Sequence, residues 1–181
     1  MPTSIPGRVS GLLLSALLPL VACTGEARPT FDDVQALGVP NARQPTPLLV
    51  TAGQLSPDQL AGLVDAGYTR FVSLRPASEN GAGWEEGHPS LGDASFARLP
   101  VAGADGLTRE AVEAFDRILD EAGDRPTVVY CGSANRAGAM LALRAYWLDG
   151  APADQALALG RAAGLTGLEP AVVSLLGGGR P

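Results

Sequence analysis

From Pro47 onward, the apolar positions alternate between short unbroken runs and longer stretches with helical spacing. Residues 47–51 (PLLVT) form a short apolar run of strand type. Residues 56–67 (SPDQLAGLVDAG) set Leu60, Leu63 and Val64 on one face. Ser56 is the expected N-cap, Pro57 opens the helix, Gln59 completes a capping box and Gly67 stops it. Residues 68–76 (YTRFVSLRP) read as a buried strand ended by Pro76, and residues 95–101 (SFARLPV) as another. Residues 77–93 between them have no period and many breakers, which predicts a loop long enough to suggest a functional role. Residues 108–123 space Val112, Phe115, Ile118 and Leu119 at helical intervals behind a Thr108 cap. Residues 125–131 (RPTVVYC) suit the centre of a sheet. Helical patterns follow over residues 136–150, 151–164 and 168–176. Strands separated by helices predict an α/β domain with a largely parallel central sheet flanked by helices, and sites in such sheets form at the carboxyl ends of strands. Cys131 stands at such an end.

The residues before Pro47 follow another pattern. Residues 1–22 carry one charge, Arg8, followed by the apolar run GLLLSALLPLVA. That run is too short to span a bilayer, for which roughly 20 apolar residues are needed, and it fits the core of a signal peptide. It ends in LVAC, residues 20–23, which resembles the bacterial lipoprotein signal; the resemblance implies lipidation of Cys23. Lipid there would hold the protein on a membrane outside the cytoplasm, on the periplasmic side, and Thr24 after the cysteine implies the outer membrane where one exists. Residues 23–46 are rich in Pro, Gly and polar residues and read as a tether, with a brief helical turn around residues 32–37. The expected organisation is a signal peptide at 1–22, the tether at 23–46, a folded domain at 47–177 and a flexible tail at 178–181.

Composition narrows the chemistry. The chain has 181 residues and a formal net charge of −6, which disfavours nucleic-acid binding because no cationic footprint is available. All 13 positive charges are arginines, so Schiff-base lysines and the lysine of a phosphate-binding G-x-x-x-x-G-K-[ST] loop are both excluded. One histidine and two cysteines are too few soft ligands for a zinc site, and the reading requires no metal or cofactor. Cys, Arg, Asp, Glu and backbone amides remain.

Residues 131–136 (CGSANR) join the predicted strand 125–131 to the helix that follows. A short loop entering a helix N-terminus aims backbone N–H groups into one concavity, and the helix dipole adds partial positive charge. Arg136 contributes a planar fork matched to two oxygens of a tetrahedral anion. Such surroundings favour a thiolate, so anion cradle and nucleophile form one device. With Cys23 committed to lipid, Cys131 has no disulfide partner within the chain, although the compartment is oxidising.

Three segments, TAGQLSPDQLAGLVDAGYTRFVSLRPASE, RLPVAGADGLTREAVEAFDRIL and RPTVVYCGSANRAGAMLAL, resemble the bacterial phosphatase-like proteins related to tyrosine and dual-specificity phosphatases. That group includes the phosphatase-like domain of beta-lactamase hydrolase-like proteins. The match runs from about residue 49 to residue 147, with G-Q, L-R-P and C-x4-R in order. The resemblance implies a tyrosine/dual-specificity phosphatase-like fold and hydrolysis of a phosphorylated small molecule or protein. It makes Cys131 the nucleophile that attacks phosphorus, Arg136 the oxyanion binder and Asp105 the general acid. Gly132, Ser133, Ala134, Asn135 and Arg136 would line the phosphate cradle.

Three positions depart from that pattern. The loop is C-x4-R where C-x5-R is usual, Tyr130 stands where His is common, and Ala137 stands where Ser or Thr assists departure of the thiolate. YCGSANRAG is also similar to single-domain rhodaneses, which implies a persulfide on Cys131 as an alternative, and a catalytically silent anion-binding module is a third. Elsewhere, Arg75 at a strand end is expected to assist substrate binding or to form an internal ion pair with Glu79. Trp84, Glu85, Glu86 and His88 read as a solvated loop, and Tyr146 and Trp147 as packing.

Overall fold

The structure, a computed structural model, describes Met1, Thr3 and residues 28–178. Residue 2, residues 4–27 and residues 179–181 lie outside the described residues, and with them nearly all of the signal segment, Cys23 and most of the predicted tail. Among the described residues no helix is long and apolar enough to cross a membrane.

The elements, in chain order, are α1 (Phe31–Ala36), β1 (Arg43–Thr46), β2 (Leu49–Ala52), α2 (Pro57–Asp65), β3 (Arg70–Ser73), β4 (Ser95–Arg98), α3 (Arg109–Ala122), β5 (Thr127–Tyr130), α4 (Asn135–Trp147), α5 (Ala153–Ala162) and α6 (Glu169–Gly177). They build the expected α/β fold, a five-stranded mostly parallel sheet in the order β1-β2-β5-β3-β4. Only β1 runs antiparallel, paired to β2 with Arg43 opposite Thr51 and Thr46 opposite Leu49. The predicted capping box of α2 is present: Ser56 Oγ accepts from Gln59 N at 3.2 Å, and Gln59 Oε1 accepts from Ser56 N at 3.0 Å. Thr108 caps α3 through its side chain, as expected.

β5 is central, in parallel register with β2 through Val128↔Val50 and with β3 through Val128↔Phe71. Its side chains alternate between faces. Val128 and Tyr130 join a core with Val34 of α1, Leu60 and Leu63 of α2, and Phe71. Val129 and Cys131 join the opposite core, with Phe115 of α3, Met140 and Leu143 of α4, and Val172 of α6. Strand register therefore sends Cys131 toward α4 and Tyr130 away from it.

The tether boundary is corrected by the structure, because residues 31–46 are part of the fold. Thr30 and Asp33 form a capping box at α1, Val34 is fully buried, and Gln59 Nε2 donates to Gly38 O at 2.9 Å. Docking supplies what the local pattern lacks. α1 offers a single fully buried side chain, and β1 (RQPT) is held by ladder bonds to β2.

α4 and α5 cross closely at Gly138 and Gly160. A Cβ on Gly138 would lie 2.3 Å from Leu165 N and 2.6 Å from Gly160 O. Both neighbours are backbone atoms and cannot swing aside. Gly138→Val is expected to destabilise the domain by about 3 kcal/mol, at the upper end of overpacking costs. Urea unfolding measures this, and an unchanged midpoint would contradict the close crossing.

Candidate active site

Three parallel strands end side by side, and the G-Q, L-R-P and C-x4-R landmarks are the residues that leave them. Gly53 and Gln54 follow β2, Leu74 to Pro76 follow β3, and residues 131–134 follow β5. Cys131 N donates to Ala52 O at 3.1 Å, continuing the ladder by one residue, and Ser133 bridges to Gly53. Gly53 sits tightly here: an added Cβ would lie 3.1 Å from Pro40 and 3.2 Å from Gly132 O. Ala134, fully buried with φ +65°, turns the chain into α4. A left-handed alanine costs on the order of 1 kcal/mol, and surrounding structure must hold it.

A cavity of about 340 Å³ opens over this loop, lined by Cys131, Gly132, Ser133, Asn135, Arg136, Glu79, Gly103 and Leu168. Cys131 is 1% exposed and lies at its floor. The structure thus brings Cys131, Arg136 and four of the five predicted cradle residues together. Ala134 shapes the loop from beneath without lining the cavity.

Arg136 is held by Glu79. Nη1 donates to Glu79 Oε1 at 2.6 Å and to Val101 O at 2.9 Å, while Nη2 donates to Glu79 Oε2 at 2.8 Å. Nη1 also lies 3.5 Å from Leu74 O. A guanidinium has five N–H groups. Glu79 takes the Nη1/Nη2 edge, the backbone carbonyls take the outer side of Nη1, and among the described residues no hydrogen bond from Nε is found, which leaves the Nε/Nη2 edge for an anion. Nη2 lies 3.7 Å from the position a Gly132 Cβ would take, so that edge adjoins the loop. The hydrogen bonds it donates to Glu79 hold Arg136 more firmly protonated, against the cost of burial, and Cys131 adds to the effect.

Glu79 accepts a further hydrogen bond from Arg75 Nε at 2.8 Å, the ion pair expected from sequence. Arg75 continues to Gln54 Oε1 at 2.7 Å and Asn80 O at 2.7 Å. Gln54 Nε2 donates to Glu85 Oε1 at 3.0 Å, and Arg98 Nη2 to Glu85 Oε2 at 2.8 Å. Glu85 is fully buried, which corrects the solvated reading of that part of the loop. Its burial favours the neutral acid, but hydrogen bonds from Gln54 and Arg98 outweigh this, and its pKa is lowered. The loop is pinned from inside by a chain of charges that ends on Arg136.

The hydrogen bond from Arg136 is the main force holding the Glu79 pKa down to about 2, against the opposing effect of burial and with help from Arg75. Its value is depressed on folding, so its contribution is present above its unfolded value of 4.5 and is lost as pH falls toward 2. With allowance for a side chain 32% exposed, the loss is about 2 kcal/mol. Urea unfolding at pH 6 and pH 3 should show it in the wild type and a flatter dependence in Glu79→Gln. Equal pH dependence in both proteins would remove Glu79 as the cause.

Asp105 lies in the turn after Val101. It is exposed and does not line the cavity, although Gly103 of the same turn does. Sequence reading missed Glu79 as the partner of Arg136, Leu168 as a wall, and the fate of the Asn135 side chain, whose Oδ1 accepts from Thr166 N and Leu168 N. None of these carries a local sequence signal. Among the described residues no group of three or more His, Cys, Asp or Glu could hold a metal ion.

No family model matches the chain, and no curated protein matches it. Among solved structures it is similar to a candidate phosphatase of the DUF442 group from Shewanella putrefaciens CN-32, with 22% identity, a TM-score of 0.64, and 82% of this chain and 97% of that chain covered. It is also similar to a candidate phosphatase from Neisseria meningitidis Z2491, at 20% identity and a TM-score of 0.61 over 73% of this chain and 96% of the other. P. aeruginosa TpbA, in complex with pTyr, matches at 16% identity and a TM-score of 0.56 over 76% and 83%. At these identities the likeness establishes a shared fold, that of the tyrosine and dual-specificity phosphatase-like proteins.

Proposed function

We propose that this protein is a cysteine-dependent phosphomonoester hydrolase. The observation that supports it is the convergence of Cys131, Gly132, Ser133, Asn135 and Arg136 on one cavity at the end of the central strand. The Cys131 thiolate attacks phosphorus and the P–O bond to the leaving group breaks. The Nε/Nη2 edge and the loop amides take the charge that builds on the equatorial oxygens. Water then cleaves the S–P bond, releasing phosphate and restoring the thiol. Asp105 is assigned the proton for the leaving oxygen, because it belongs to the same turn as Gly103, which lines the cavity. Glu79 cannot serve, since its pairing keeps it ionised at neutral pH.

One observation favours the sulfurtransferase reading. Ala137, fully buried, offers no hydroxyl where a departing thiolate would use one, and the loop is one residue short. Intact mass after rapid quenching separates the two. The protein is mixed with an aryl phosphate or with thiosulfate. A phosphoryl adduct or steady phenol release, absent in Cys131→Ser, supports hydrolysis, and Asp105→Asn should then slow alkyl esters more than aryl esters. A sulfur adduct alone would replace the phosphatase reading with a persulfide carrier.

A further inference from the structure

Asn135 opens α4 beside the anion loop, yet its side chain faces the turn between α5 and α6. Its Oδ1 accepts from Thr166 N at 2.8 Å and from Leu168 N at 3.3 Å. Two N–H donors at one point require a carbonyl-type acceptor there. The turn is tied to the site at two more places. Thr51 Oγ1, buried in β2, donates to Ala163 O at 2.8 Å. Gly164, with φ +99°, leaves room for the Ala134 methyl, which would lie 2.6 Å from a Cβ at that position. Beyond the turn, Leu168 is, among the described residues, the one aliphatic side chain that lines the cavity.

We propose that Leu168 is the specificity-determining wall of the site and that Asn135 is the positioning residue that holds it there. This rests on the anion-binding reading of the loop. The loop amides and Arg136 bind whatever tetrahedral anion enters. What the anion carries must lie against the remaining walls of the cavity, and the apolar surface that Leu168 offers there favours an apolar substituent. Because Asn135 lies next to Arg136 in sequence, one residue ties the cradle to the wall.

The test uses the full chain with backbone amide NMR, titrated with inorganic phosphate and with phenyl phosphate in a Cys131→Ser background, which prevents turnover. Phosphate should shift the amides of residues 132–136. Phenyl phosphate should additionally shift Leu168 and bind on the order of tenfold more tightly, the scale of an apolar contact of this size. Leu168→Ala should remove most of that advantage while phosphate affinity stays within about twofold, a tenth or less of what a lost cradle contact costs. Asn135→Ala should lower the ratio of phenyl phosphate affinity to phosphate affinity, whatever it does to phosphate binding itself, and Asn135→Asp, which keeps an acceptor for both N–H groups, should restore that ratio despite weaker anion binding overall. An unchanged phenyl preference in Asn135→Ala or in Leu168→Ala, with shifts at 132–136 intact, would overturn the wall and leave the anion site standing. No shift at 132–136 with either probe would overturn both.

Discussion

Replacing Cys131 with serine is expected to lower phosphate release by at least about 10⁴-fold, the scale seen when a covalent nucleophile is removed. The cavity also carries the hydroxyl of Ser133, and an alcohol is a far weaker nucleophile than a thiolate. The fold should survive. Cys131 is buried in the core shared with Phe115, Met140 and Leu143, so a hydroxyl placed there costs about 1–3 kcal/mol if it finds no partner. That corresponds to a melting temperature lower by several degrees in a domain of this size. Circular dichroism at fixed temperature shows whether the variant is folded, and a phosphate-release assay then reads the chemistry. A folded Cys131→Ser protein with wild-type turnover would end the nucleophile assignment.

Arg136→Lys should reduce kcat/KM by about 10²–10³-fold, the scale of one transition-state donor lost, although the charge is retained. Arg136 works on two edges. One binds Glu79 twice and Val101 O once, and the other faces the loop. A lysine ammonium is a point charge on a flexible stem and cannot hold both edges in register. Losing the fork should also remove about 2 kcal/mol of stability, because charge-assisted hydrogen bonds to a partly buried carboxylate are broken. Glu79→Gln combined with Arg136→Lys separates the two effects. Stability losses should be strongly non-additive in that cycle, since the residues are in direct contact. Wild-type kcat/KM in Arg136→Lys would mean that a point charge suffices and that the fork geometry is irrelevant.

The core of the fold was legible because its signals are local. Ser56 and Gln59 announce α2, Thr108 announces α3, and the run TVVY reads as a buried strand wherever it is placed. The pairing of Cys131 with Arg136 was legible for the same reason, since they lie five positions apart across a strand-to-helix loop. Residues 31–46 were read as a tether because α1 is one and a half turns long and β1 has no apolar alternation; both are ordered by contacts with α2 and β2. Glu85 was read as solvated because a glutamate in a glycine-rich loop ordinarily is. It is buried because Arg98, thirteen residues later, and Gln54, thirty-one earlier, reach it from other strand ends.

By itself, then, the sequence determined the strand and helix order from β2 onward, the caps of α2 and α3, and the device of cysteine, loop and arginine at a strand end. Each of these depends on the chemistry of neighbouring residues and on the periods of helix and strand. Tertiary structure decided which edge of Arg136 is free, that Glu79 holds the other edge, and that Leu168 closes the cavity. Those choices pair residues 57 positions apart, brought together by parallel crossovers, and residues 33 positions apart, brought together by the packing of α5 on α4. Only the assembled sheet and the packed α5–α6 turn place such residues within hydrogen-bonding distance.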